Sequence, residues 1–141
     1  IHPPNKQELG RRLARLARHV VYAERAGAAS GPVARSVSRT PDGLRIRFDD
    51  VTGRLATTGA KGPIGFELCD ADVRRCRYAD AVLDGDDVVL RSDRVAPDSS
   101  PHHGSARVRY CWADGPVCTL GDSSGLPAGP FELTLKEAGR P

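Results

Sequence analysis

The sequence predicts a mainly β chain opened by one N-terminal α-helix, and three observations carry that expectation. Apolar residues near the start recur at helical spacing, the rest of the chain breaks into short runs of strand character, and turn-forming residues separate those runs. A length of 141 residues is enough for one ordinary domain and not comfortably two. With 39% hydrophobic residues and charge spread along the chain, the composition is that of a globular protein rather than a disordered one.

The helix comes first. Pro3 and Pro4 push the residues ahead of them towards extended geometry. Asn5 can then cap a helix, with Glu8 three residues on to complete a capping box. Leu9, Leu13, Leu16 and Val20 follow at spacings of four and three and make one apolar stripe, with Ala17 and Val21 beside it. Arg11, Arg12, Arg15 and Arg18 fall largely off the stripe and read as a solvated face. The helix should fade near Gly27, with the small residues of 28–31 as a linker. A single amphipathic helix cannot bury its stripe alone. It must pack on the sheet that follows or on something outside this chain.

After Gly31 the pattern becomes β. Residues 33–39 are a first strand. Pro41-Asp42-Gly43 is a turn, and Leu44, Ile46 and Phe48 alternate with Arg45 and Arg47 as a half-buried strand. Residues 55–58, 64–69, 76–83 and 87–92 are further candidates, the last two joined by a tight turn at Asp84-Gly85-Asp86. Residues 96–105, rich in proline and serine, read as an exposed loop. Val108, Tyr110 and Trp112 alternate with Arg109 and Cys111, and Phe131, Leu133 and Leu135 make the last strand. About eight short strands of this kind point to a two-sheet β-sandwich.

Several function classes fall away. Twenty-one basic against 18 acidic residues leaves a net charge of +3, too balanced for a nucleic-acid partner. No apolar run approaches the roughly 20 residues of a membrane-spanning helix, so no membrane partner is expected. The four cysteines form two local pairs, Cys69 with Cys76 and Cys111 with Cys118, each with six residues between its members. Two short disulfide loops fit this pattern and point to a periplasmic or secreted protein, each loop contributing about 2.5 kcal/mol by chain entropy. A four-cysteine zinc site is one rival, but such sites set paired cysteines two to four residues apart. Free thiols of a cytosolic protein are the other.

Candidate chemistry is sparse. His2 lies just ahead of the proline pair, and an imidazole of ordinary pKa near 6.5 can act as general base to a serine. On position alone a terminal histidine without a role is the simpler reading. His102 and His103 sit in the loop with no cysteine or carboxylate cluster nearby, so no metal is expected. Tyr22, Tyr110 and Trp112 could stack on a sugar ring, although alternation sets Val108, Tyr110 and Trp112 on one face and favours core packing. Gly121-Asp122-Ser123-Ser124 imitates a hydrolase nucleophile string, but it lies in a loop near the C-terminus, and Gly, Asp and Ser are ordinary turn formers.

The chain as a whole resembles the C-terminal part of the sialate O-acetylesterase family, a branch of the SGNH (GDSL-like) hydrolases. The strings that carry the likeness begin with His2-Pro3, Asn5-Lys6-Gln7 and Gly10-Arg11-Arg12-Leu13-Ala14, then Gly31-Pro32-Val33 and Gly65-Phe66-Glu67. They continue with Asp84-Gly85-Asp86 before Val88-Val89, then Val108-Arg109-Tyr110 and Trp112-Ala113-Asp114. They close with Gly125-Leu126-Pro127-Ala128-Gly129-Pro130-Phe131. None is specific alone; their order and spacing over nearly the whole chain are.

The resemblance implies that residues 1–26 are the C-terminal end of an SGNH α/β/α hydrolase domain, the helix being its last, and that residues 27–141 are a jelly-roll-like β-sandwich. It makes His2 the catalytic base and puts the nucleophilic serine, triad acid and oxyanion-hole residues upstream of Ile1. The expected partners are that upstream hydrolase segment and an acetylated carbohydrate; the expected cofactors are none. The opening Ile-His-Pro-Pro and the absence of methionine fit an internal fragment or cleavage product, inactive alone. The alternative is a non-catalytic carbohydrate-binding or scaffolding sandwich, which would need an exposed aromatic platform.

Overall fold

The computed structural model describes residues 5–25, 27–41, 43–70, 75–91 and 107–135. Helix α1 spans Lys6–Val20, and Asn5 caps it by accepting the Glu8 amide at 3.0 Å. The Glu8 carboxylate turns to the helix surface, where the Arg12 Nε donates to it at 3.0 Å and Arg11 stands 3.7 Å away. The expected cap is therefore present, and Glu8 works through these pairs four and three residues on.

Ten strands follow among the described residues: β1 (Val33–Thr40), β2 (Gly43–Asp49), β3 (Leu55–Thr57), β4 (Phe66–Cys69), β5 (Cys76–Tyr78), β6 (Asp80–Asp84), β7 (Asp87–Arg91), β8 (Arg107–Tyr110), β9 (Leu120–Asp122) and β10 (Phe131–Thr134). They form one four-stranded sheet in the order β1-β2-β7-β6, a second in the order β10-β8-β4-β5, and a two-stranded ribbon of β3 and β9. Every pairing is antiparallel.

Alternation explains the core. Leu44 and Ile46 of β2 and Val88 and Leu90 of β7 point inward from the first sheet, and Phe66, Leu68, Val108 and Tyr110 from the second. Leu55 and Leu120 add the ribbon to the same cluster. Phe48 bridges the sheets, its ring 5.8 Å from Phe131, which lies 5.5 Å from Tyr110 and 6.1 Å from Phe66. The buried Tyr110 hydroxyl accepts the Leu120 amide at 2.9 Å and so ties β9 to β8. The outcome is a mainly β sandwich with one N-terminal helix.

The 76–83 run is not one strand. At Ala79 the chain leaves the second sheet, where β5 pairs with β4, and enters the first, where β6 pairs with β7. Periodicity does not register this change of partner, because the backbone stays extended. The turn at Asp84-Gly85-Asp86 is a two-residue loop: Asp84 pairs with Asp87, and Gly85 takes φ +63°. Only the first central residue is left-handed, the requirement of a type II′ hairpin. Arg45 then spans the hairpin, bonded to Asp84 at 2.5 Å and Asp87 at 2.9 Å.

The helix departs most from a self-contained fold. None of its side chains is buried, and Leu9, Leu13, Leu16 and Val20 are between 43% and 69% exposed. Of the two expected homes for the stripe, the sheet is not the one taken.

The linker lands on the sandwich at Gly31 and Pro32, both buried. A Cβ on Gly31 would run into the Pro127 carbonyl oxygen. Gly31→Ala is expected to destabilise the chain by about 2 kcal/mol, read as a lower urea midpoint at unchanged slope, because backbone atoms must move to admit the methyl group.

Candidate functional site

The outer face of the second sheet holds the polar and aromatic groups that the core excludes. Directly opposite residues of an antiparallel pair share a face. Glu132 is opposite Arg109, Arg109 opposite Glu67, and Glu67 opposite Tyr78, so one row crosses all four strands. Arg109 Nε donates to Glu132 at 2.6 Å, and Arg107 reaches the same carboxylate at 3.2 Å. The Arg109 guanidinium is the main reason the Glu132 carboxyl sits below its ordinary pKa. The Glu67 carboxylate bonds to none of the described residues.

Trp112 does not follow Val108 and Tyr110 into the core, contrary to the alternation reading. Cys111 takes φ +59°, a left-handed conformation that turns the chain out of the strand, and Trp112 is 49% exposed. The Arg109 guanidinium carbon lies 5.2 Å from the Trp112 ring centroid, a cation–π contact of about 1 kcal/mol. That contact holds the indole over the same outer face. Tyr78, on the edge strand β5, is 77% exposed. Alternation had singled out Tyr110 and Trp112 but missed Tyr78; the signal was there, two residues beyond Cys76 on the same side of an edge strand. Tyr22 is also exposed, beyond the end of α1.

Both expected disulfides are present, Cys69–Cys76 and Cys111–Cys118, with Cα separations of 4.0 and 5.7 Å. The first links residues directly opposite on β4 and β5; the second closes the loop that begins with Trp112. The zinc and free-thiol readings both fail, since no described cysteine is free. Such bonds fit an oxidising, extracellular or periplasmic setting. Among the described residues no cluster of three or more His, Cys, Asp or Glu could hold a metal ion, and no helix is long and apolar enough to cross a membrane.

The Gly121-Asp122-Ser123-Ser124 string folds as a staple. Asp122 is 4% exposed, and its carboxylate accepts the Ser124 hydroxyl at 2.7 Å and the amides of Ser124, Thr52 and Leu126 at 2.9, 3.1 and 3.2 Å. The Ser123 hydroxyl donates to the Arg54 carbonyl at 3.2 Å. Among the described residues neither hydroxyl bonds to a histidine, and both are taken up by the staple. Burial pushes the Asp122 carboxyl up, but the bonds from the Ser124 hydroxyl and the three amides outweigh it and hold the acid below its ordinary pKa of 3.8.

An open groove of about 590 Å³ lies beside β5, lined in part by Lys61, Pro63, Phe66, Tyr78, Asp80 and Arg91. Among the described residues its lining has no serine, histidine or cysteine. His2, His102 and His103 lie outside the described residues. The 111–131 segment brings Pro127 against Gly31 at the end of the linker.

No family model matches the chain, and no curated protein matches it. Among solved structures, a carbohydrate acetylesterase from Xanthomonas citri is 35% identical with a TM-score of 0.74. The match covers 93% of this chain and 28% of that one. The chain shares its fold with part of a carbohydrate acetylesterase. It spans well under a third of that enzyme's length, and the likeness is consistent with an esterase-related role.

Proposed function

We propose that this chain is the C-terminal part of a secreted or periplasmic serine-type carbohydrate O-acetylesterase. The observation that carries the reading is the match at 35% identity across 93% of the chain to a segment making up 28% of a carbohydrate acetylesterase. Residues 1–26 close an SGNH hydrolase domain, and residues 27–141 form its jelly-roll-like sandwich. The exposed stripe of α1 supports this division. Four apolar side chains in water are a surface made to be covered, and full burial would contribute on the order of 5 kcal/mol or more. The upstream hydrolase segment is the cover.

In this reading His2 is the catalytic base. It takes the proton of a serine supplied from upstream as that oxygen attacks the acetyl carbonyl. It then protonates the departing sugar hydroxyl and later activates water against the acyl-enzyme. Upstream donors hold the oxyanion. The substrates that fit are O-acetylated sugars, either sialates or plant hemicelluloses such as xylan and xyloglucan.

The test is reconstitution. The chain alone should release no acetate from a chromogenic acetate ester, and joining it to the upstream hydrolase segment should restore release. Full activity of the upstream segment without this chain would overturn the reading.

A further inference from the structure

We propose that the outer face of the second sheet is a carbohydrate-binding platform that takes a neutral glycan chain. That the ligand is a carbohydrate rests on the esterase reading; the choice of face and of neutral charge rests on the row of side chains itself.

Sugars are recognised by aromatic faces laid against the C–H face of the ring, with planar polar groups beside them to meet the hydroxyls. The row offers both. Trp112 and Tyr78 are half-exposed and mostly exposed, an unusual investment in a chain with one tryptophan and three tyrosines. Tyr110, the aromatic of β8, is wholly in the core, and Tyr22 beyond α1 is exposed as well; what sets Tyr78 and Trp112 apart is the row they share through Arg109.

Geometry sets the spacing. Adjacent strands lie about 4.8 Å apart, so Tyr78 on β5 stands about 10 Å across the sheet from Arg109 on β8, over which Trp112 is held. That span suits two alternate pyranose rings of a chain, one against each aromatic with a third ring between them. Glu67 lies between them with its carboxylate uncommitted among the described residues, an acceptor for ring hydroxyls. The bond to Glu132 and the indole fix the Arg109 guanidinium, which makes the tryptophan end rigid before any ligand arrives.

Charge selects the ligand. Glu132 pairs with both Arg109 and Arg107. With Glu67 the face carries two carboxylates against these two guanidiniums, so it offers an acidic sugar no net attraction, and the carboxylate directly opposite Tyr78 disfavours a uronate or sialate there.

The single tryptophan makes the test direct, because all indole emission from the chain comes from Trp112. Xylohexaose and cellohexaose are titrated as neutral probes and hexagalacturonate as an acidic one. A saturable change in emission with at least one neutral probe is expected, with weaker or no response to the acidic one. Tyr78→Ala should weaken that binding about tenfold, the loss of one stacking partner. Trp112→Ala should abolish retardation of the chain in gels containing the matching polysaccharide. Both residues are exposed, so far-UV circular dichroism should show both variants folded. Unchanged emission with both neutral probes at millimolar concentration, equal binding by Tyr78→Ala, or tighter binding of hexagalacturonate would each overturn the proposal. None of these readouts requires acetyl release. An esterase with no platform and a platform with no esterase are thus told apart, since binding is read by indole emission and gel retardation and hydrolysis by acetate release.

Discussion

In the reconstituted esterase, His2→Ala should lower kcat for acetyl release by about four to six orders of magnitude while KM changes little. The size follows from the role. Without a base, the serine hydroxyl must attack with its proton in place, and the departing sugar oxygen must leave without one. Binding of the sugar and stabilisation of the oxyanion come from other groups and survive the change, which is why KM is spared. The measurement is steady-state hydrolysis of a chromogenic acetate ester, with circular dichroism to show that the variant is folded. A variant that turns over at the wild-type rate would remove His2 from the mechanism and leave only a sandwich with an exposed helix.

Asp122→Ala should cost about 3 kcal/mol of stability, the largest loss expected from a single change in the sandwich. The carboxylate is buried and gathers three amides and one hydroxyl from two chain segments, the 52–54 turn and the 124–126 turn. Removing it leaves donors in a buried setting with no acceptor. Each stranded group carries a desolvation cost that the small alanine methyl does nothing to offset. Urea unfolding checks this, and a midpoint within error of the wild type would refute it.

The same carboxylate gives a pH dependence whose sign is set by its lowered pKa. Unfolded, the group titrates near its ordinary 3.8; folded, it titrates lower. Its contribution is complete above the unfolded value and is lost as pH falls through the folded one. The stability gap between the wild type and Asp122→Ala should therefore narrow as pH drops below about 4 and stay constant above it. A gap that widens on acidification would show that the bonds to Asp122 favour the protonated acid.

Much of this architecture was legible in the residues. Asn5 after two prolines announced the helix start, and the Leu44, Ile46, Phe48 alternation announced a strand with its inner face. Both follow from local rules, a cap that needs a side-chain acceptor and a pleat that alternates. The cysteine pairing was also readable, since a six-residue gap suits a loop closure better than a shared ion. Strand β9 was not legible. Leu120-Gly121-Asp122 is spelled as a turn, and it becomes a strand only because β3 pairs with it, Tyr110 holds its first amide and Asp122 gathers the loop behind it.

The candidate surface was half visible. In the sequence Trp112 and Tyr22 read as aromatics that could meet a sugar, but alternation sends Trp112 inward. One left-handed residue, Cys111, reverses that, and no pattern of side-chain polarity encodes it. Tyr78, Glu67 and Arg109 became neighbours through register, which joins residues 67, 78 and 109 across three strands.

By itself the sequence determined where the helix and most of the strands lie, which cysteines pair, and a likeness to carbohydrate esterases, because each depends on short-range spacing or on the order of motifs. Only the tertiary structure decided which aromatics face water, which carboxylate is a staple and which is free, and that the apolar stripe of α1 finds no cover on the sandwich. Those outcomes depend on which strands meet and in what register, and that is settled by the burial of the whole core rather than by any stretch of neighbouring residues.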